Sequence, residues 1–166
     1  ANPAEALIRS LGGWTLRLLC LTLAVTPLRQ MLGLPALARF RRMLGVFTFF
    51  YGCLHLLAYA WLDKSLLLPD ITLDIAKRPF ILVGFATWAL MAPLAATSFN
   101  RAIKWLGAAR WQALHRLVYL LAPLAVLHFF WMRAGKHNFL AVYVYGGVLA
   151  ALLAWRVLRR LLRPAN

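Results

Sequence analysis

Residues 111–132 read WQALHRLVYLLAPLAVLHFFWM, and Arg116 is the only Lys, Arg, Asp or Glu among them. At about 1.5 Å per residue, a helix over this stretch reaches about 33 Å, enough to cross a hydrocarbon core. Two histidines, His115 and His128, stand inside it. Further apolar runs fall at roughly 12–29, 43–62, 79–97 and 138–157. The turns between them carry the expected punctuation: Pro27 and Pro35, then Pro69 and Lys77-Arg78-Pro79, then Ser98, Asn100 and Gly107, then Gly135 and Asn138. The first run is the least regular, because Arg17 falls near its outer end and Gly12-Gly13 make a poor helix start. Its beginning is read as an interfacial segment. Ala1 to Leu11 lack the basic start and cleavage site of a signal peptide.

Composition agrees with the spans. Of 166 residues, 63% are hydrophobic and 14% charged, against about 45–50% and about 25% in soluble domains. With 8 Pro, 10 Gly and 2 Cys, disorder, collagen and a disulfide scaffold are also excluded. The expected fold is all-α, a polytopic transmembrane bundle of about five spans forming one domain over residues 1–166. Cys20 and Cys53 each lie in an apolar run, form no CxxC, and are read as packing residues.

The net charge of +15 would point a soluble protein toward nucleic acid. Here the basic residues sit between apolar runs, so the surroundings implied are membrane lipid, with no nucleic acid. One side takes Arg29, Arg39, Arg41, Arg42, Arg101, Lys104, Arg110, Arg116, Arg156, Arg159, Arg160 and Arg163. The other takes Arg9, Arg17, Lys64, Lys77, Arg78, Arg133 and Lys136, together with all the acids, Glu5, Asp63, Asp70 and Asp74. The more basic side is expected to be cytoplasmic. The chain then begins outside and its C-terminus is cytoplasmic.

Three of the four histidines fall within spans: His55 in the second, His115 and His128 in the fourth. Ionisable groups in lipid are costly and mark function by default. Neutral imidazole is also the common axial ligand of b-type haem. His55 lies about 10 Å and His128 about 6 Å from the outer ends of their helices, so the two share a level and can clamp one haem. His115 stands about 20 Å from His128, near the cytoplasmic face. Thirteen residues put those two on different faces of a straight helix, unless a kink or π-turn at the intervening Pro123 restores the phase. The positions on the second span level with His115 are Arg41 and Arg42. Arginine is a poor iron ligand but a good partner for haem propionates or a flavin phosphate. A second site at His115 therefore has several readings: five-coordinate haem, haem completed by another group, or a flavin or quinone headgroup. Phe49, Tyr51, Tyr59 and Trp131 are candidates to flank a macrocycle, with lipid-facing packing as the alternative. His137 is read as an exposed turn residue. No zinc cluster, hydrolytic triad or phosphate loop is visible.

Several ordered segments resemble a known family: Thr22-Leu23-Ala24-Val25-Thr26-Pro27-Leu28, Arg41-Arg42-Met43-Leu44-Gly45, Leu54-His55-Leu56 and Lys77-Arg78-Pro79-Phe80. Trp111-Gln112-Ala113-Leu114-His115-Arg116-Leu117-Val118-Tyr119-Leu120 and His128-Phe129-Phe130-Trp131 complete the set. Together they are similar to the haem-binding membrane subunits of the bacterial periplasmic methionine sulfoxide reductase system, the MsrQ/YedZ family. That family belongs to the ferric-reductase-like transmembrane superfamily. The resemblance implies an inner-membrane electron carrier with haem b, His55, His115 and His128 as haem-associated histidines, and flavin mononucleotide as a further cofactor option. It implies a cytoplasmic flavin reductase or quinol as donor. The acceptor it implies is a periplasmic molybdopterin subunit that reduces methionine sulfoxide, so this chain carries no substrate-reducing site of its own. It also implies a further span ahead of residue 1, which this sequence does not include. The rival readings are a quinone-linked cytochrome or ferric reductase with another acceptor, and a non-redox transporter or scaffold with histidines as interhelical glue.

Overall fold

The computed structural model describes residues 2–135 and 138–162, apart from the side chain of Arg160; His137, expected in an exposed turn, lies outside them. Five helical segments are long and apolar enough to cross a membrane: Pro3–Leu32, Pro35–Asp63, Pro79–Ala96, Ala108–Ala134 and Leu140–Arg159. The chain is a multi-pass helical membrane protein.

Helix α1 (Pro3–Leu32) starts earlier than the sequence suggests. Asn2 caps it, its side chain accepting from the Ala4 N–H at 3.0 Å, and Pro3 opens the first turn. The helix runs straight through Gly12-Gly13 and Pro27 and ends at Gly33, whose φ of 65° suits the left-handed cap. In lipid the backbone must bond to itself, so glycine does not fray a helix there as it would in water. Pro27 does remove one donor, the one due to the Leu23 carbonyl four residues earlier. Arg156 replaces it: its Nη2 donates to that carbonyl at 2.6 Å.

Helix α2 (Ala38–Ala58) follows a 3₁₀ turn at Pro35–Leu37 and runs on into a π-helical turn, Tyr59–Asp63. It is apolar on two faces. Phe40, Met43, Phe47, Phe50 and Leu57 are exposed on one, where lipid would cover them. Small residues at helical spacing, Gly45, Thr48 and Gly52, mark the other and meet α1. A Cβ on Gly45 would lie 3.7 Å from Thr22, and one on Gly52 would lie 3.7 Å from Thr15. Small residues let two helices in lipid approach closely.

The expected second loop contains helix α3 (Leu68–Lys77), with Pro69 and Asp70 in its first turn and Lys77 in its last. That order suits the helix dipole, and Pro79 stops the helix. Helix α4 (Pro79–Ala96) returns through the bundle. The expected third loop likewise contains a short helix, α5 (Asn100–Leu106), joined to α6 (Ala108–His115) through Gly107 at φ 74°. The fourth span is then interrupted at Arg116-Leu117, where the ladder tightens to i+3 bonds: Leu117 N–H to Leu114 at 3.0 Å and Tyr119 N–H to Arg116 at 2.9 Å. The break therefore precedes Pro123, which sits inside α7 (Val118–Ala134). Helix α8 (Leu140–Leu161) closes the bundle.

The core collects Leu16, Leu19 and Leu23 of α1, Met91 of α4, Leu121 of α7 and Leu149 of α8. Polar bonds pin α8 to α1 at two levels, Arg156 to Leu23 and Arg17 Nε to the Tyr145 hydroxyl at 3.0 Å. Arg156→Leu is expected to destabilise the folded protein by about 1–2 kcal/mol, by orphaning the Leu23 carbonyl. In a Pro27→Ala background, where an N–H returns, the same substitution should cost less. A double-mutant cycle on unfolding in detergent reads the difference.

Candidate cofactor site

His55 on α2 and His128 on α7 come together with ring centres 6.2 Å apart and planes at 74°. Each ring is set by the same device. His55 Nδ1 lies 2.9 Å from the Ile8 carbonyl of α1, and His128 Nδ1 lies 2.7 Å from the Phe80 carbonyl of α4. A carbonyl can only accept, so each Nδ1 carries the proton and each Nε2 is left with its lone pair. Four residues after each carbonyl comes a glycine. A Cβ on Gly12 would stand 3.1 Å from the His55 ring, and one on Gly84 would stand 2.7 Å from the His128 ring. In a helix the side chain at i+4 lies over the carbonyl at i, so glycine there opens the carbonyl to an outside donor. Neither Nε2 has a hydrogen-bond partner among the described residues.

Both rings line a cavity of about 670 Å³ between the helices. Gly52, Trp88, Met91 and Phe129 supply apolar wall. Of the aromatic candidates, Tyr59 lines this cavity, while Phe49, Tyr51 and Trp131 do not. Phe49 stacks behind it on Trp88 at 6.1 Å. Cys20 is buried in the core, and Cys53 accepts from the Trp88 indole at 3.3 Å.

Two imidazoles bound to opposite sides of one metal ion, each through a bond of about 2 Å, place their ring centres about 6 Å apart. The observed separation fits that arrangement. Among the described residues no three His, Cys, Asp or Glu side chains converge. An ion held by this pair must therefore bring its remaining ligands with it, as an iron porphyrin does.

His115 is placed apart from this pair. Its Nε2 lies 3.0 Å from the Thr97 hydroxyl of α4, and its ring stacks on Trp111 at 4.0 Å. Trp111 in turn donates to the Thr97 carbonyl at 2.9 Å. Arg41 is the charged group that acts on the His115 ring. Arg42 donates to the Asn100 side chain at 2.8 Å, tying α2 to α5. The hydrogen-bond partner of His115 thus comes from Thr97, the residue that ends α4. Sequence reasoning missed Thr97, Gly12 and Gly84. The spacing Gly45, Thr48, Gly52, His55 at steps of three and four is a legible sign that His55 faces another helix closely.

Beyond the histidine pair, Asp74 of α3 ties the second span to the start of α4. It accepts from the Tyr59 hydroxyl at 2.6 Å and pairs with Lys64 at 3.2 Å and Arg78 at 2.9 Å. The π-helical turn carries Tyr59, and π-turns recur at functional sites. Ser65 and Leu66, at φ of 50° and 60°, close it through the Leu66 N–H to Ala60 bond of 2.7 Å. Burial works to raise the Asp74 pKa, but the Tyr59 hydroxyl and the Lys64 and Arg78 cations outweigh it and hold the carboxyl below its ordinary value.

Fold and site together define a multi-pass helical membrane protein with an open imidazole pair in an apolar cavity. Residues 11–126 match the family described as ferric reductase like transmembrane component. Among curated proteins, the protein-methionine-sulfoxide reductase heme-binding subunit MsrQ of Polaromonas naphthalenivorans is 65% identical, over 95% of this chain and 72% of its own length. The MsrQ of Ralstonia nicotianae is 56% identical over the same shares, and that of Bordetella pertussis 55% identical over 95% and 76%. No solved structure matches. The chain belongs to the MsrQ family, within the ferric-reductase-like transmembrane components.

The Asp74 clamp yields a pH prediction. A carboxyl whose native pKa is depressed adds stability that is complete above its unfolded value, about 3.9. That stability is lost as pH falls through the native value. Asp74→Ala should therefore cost about 2 kcal/mol at pH 7. The gap from the unmodified protein should close below about pH 4, as read by thermal unfolding across a pH series.

Proposed function

We propose that this chain is a b-type cytochrome of the inner membrane. It carries electrons from the cytoplasmic face to a periplasmic methionine sulfoxide reductase subunit, as the haem-binding domain of that system. The observation that carries the reading is the His55–His128 pair, with both Nδ1 atoms engaged, both Nε2 atoms without a hydrogen-bond partner among the described residues, and both rings lining one cavity. Histidines acting only as interhelical glue would account for the Nδ1 bonds to Ile8 and Phe80. They give no reason for two facing rings at 6.2 Å with unpartnered Nε2 atoms. The names of the relatives, heme-binding subunits of protein-methionine-sulfoxide reductase, point the same way.

In this reading His55 and His128 would hold the haem iron through their Nε2 atoms. Haem bound there supplies a one-electron iron couple in an apolar site. The protein's own work is to fix the rings: the carbonyls of Ile8 and Phe80 set the tautomer and raise the basicity of Nε2. Phe129 and Trp88 exclude water. The more basic end of the chain, with Arg41, Arg42, Lys104, Arg110 and Arg116, faces the cytoplasm by charge bias and leaves the C-terminus inside. It suits an anionic flavin or an acidic flavin reductase as donor. His115, with Nε2 held by Thr97 and one face on Trp111, is assigned to that donor side as a contact for a flavin or quinone headgroup.

Haem per folded protein tests the axial pair. His55→Ala and His128→Ala should each lose most of the low-spin haem. Gly84→Ala should do nearly the same by displacing the His128 ring, and Gly12→Ala should do less. Stoichiometric six-coordinate haem in both histidine variants would overturn the assignment.

His115→Ala should keep that haem and its reduction by dithionite. Reduction by a reduced flavin donor should slow about ten-fold, which is about 1.4 kcal/mol of barrier. Haem loss equal to that of His128→Ala would instead place His115 among the ligands.

A further inference from the structure

Arginines give the His55–His128 cavity a second chemical character. Arg9, Arg17, Arg78 and Arg133 are all among its lining residues. Arg9 pairs with Glu5, and Arg78 pairs with Asp74. Arg17 and Arg133 have no carboxylate partner among the described residues. Arg41 and Arg42, expected from sequence to meet propionates, do not line this cavity.

Arg17 is exposed on α1 and Arg133 stands in the last turn of α7, so what marks the two is their shared place on the cavity wall. Arg17 lies five positions past Gly12 on α1, but its guanidinium turns back toward the helix start, 4.9 Å from the centre of the Trp14 ring. Arg133 lies five positions past His128 on α7 and also turns back, 5.3 Å from the centre of the Phe129 ring. The two cations thus lie on different walls of the cavity, on α1 and α7. Between them the wall is continuous. The Tyr145 hydroxyl accepts from Arg17 Nε at 3.0 Å, and the Tyr145 ring meets Phe129 with centres 6.3 Å apart. All four side chains line the cavity.

A wall that combines aromatic faces with two guanidinium groups lacking carboxylate partners matches a flat apolar ligand carrying two carboxylates. A neutral quinone or a lipid tail would leave both cations without a carboxylate partner. We propose that Arg17 and Arg133 anchor the two propionate carboxylates of the haem, with Tyr145 positioning Arg17. This rests on the haem reading above. Arginine suits the task because its planar fork binds carboxylate bidentately and its weak hydration permits partial burial.

The test compares two ligands on the full chain, produced without haem and held in lipid nanodiscs. One is haem b; the other is its dimethyl ester, which has the same ring and iron but no carboxylates. The unmodified protein should bind haem about ten-fold more tightly or better, since charge-assisted pairs are worth at least that. Arg17→Gln and Arg133→Gln should each lose most of this preference while keeping their affinity for the ester and the low-spin spectrum. Arg133→Lys should restore part of it. Equal binding of haem and ester by the unmodified protein overturns the anchor assignment, and needs no variant to fold. Full retention of the preference in both glutamine variants overturns it as well. If neither ligand binds the unmodified protein, the haem reading itself falls and takes this inference with it.

Discussion

The bond on which the site depends runs from a helix carbonyl to an imidazole Nδ1. In an apolar medium a backbone carbonyl has few partners beyond its own helix, and an imidazole has two nitrogens to place. Pairing the two settles both problems: the ring is oriented, the tautomer is fixed, and the second nitrogen faces away from the donor helix. The arrangement occurs twice, Ile8 with His55 and Phe80 with His128, across two different helix pairs. Repetition on unrelated segments separates this device from incidental packing, because each instance also needs a glycine at the one position that would cover the carbonyl.

That requirement reaches into the rest of the bundle. For His55 to touch a carbonyl of α1, the two helices must run close together. Gly45, Thr48 and Gly52 on α2, against Thr15 and Thr22 on α1, bring them there. For His128 to touch α4, α7 must pack with comparable intimacy, and Leu121 and Ala122 are among the most buried residues of the chain. The tightened turn at Arg116-Leu117 uncouples α6 from α7. His115 therefore turns to Thr97 while His128, on the same span, turns to the cavity. The Asp74 clamp holds the far ends of these two helix pairs together, since Tyr59 lies one turn past His55 and Arg78 just before Phe80.

The sequence discloses the parts of this structure that depend on local composition. Length and apolarity place five spans, the last three within about three residues of their observed ends and the first two starting eight or nine residues late, and the depth of His55 and His128 along their helices predicts that they share a level. Hidden parts depend on what lies opposite. Gly12 reads as a poor helix start, because glycine lowers propensity in water, and Gly84 draws no notice; only the neighbouring rings give the two a purpose. Pro27 reads as a loop boundary, because the donor that replaces its missing N–H comes from Arg156, far along the chain. Helices α3 and α5 are short and read as loops, because their polar residues break the span pattern without erasing helical order. Rise per residue fixes depth well, but face depends on every turn between, so the 3₁₀ step at Arg116-Leu117 separates the facing of His115 from that of His128.

The same reasoning separates the two ends of the molecule. At one end imidazole nitrogens face an apolar cavity unpartnered, which favours a ligand that is bound and kept. At the other, His115 already has a hydroxyl on its Nε2, a stacked indole and the charge of Arg41 nearby. Under the proposed reading the ring keeps this hydroxyl partner, a bond worth about 1 kcal/mol. It retains a polar edge beside a basic surface, which suits a charged ligand that arrives and leaves. Tight binding at one level and exchange at the other is what the proposed electron carrier would require, because a resident cofactor must persist while a donor turns over.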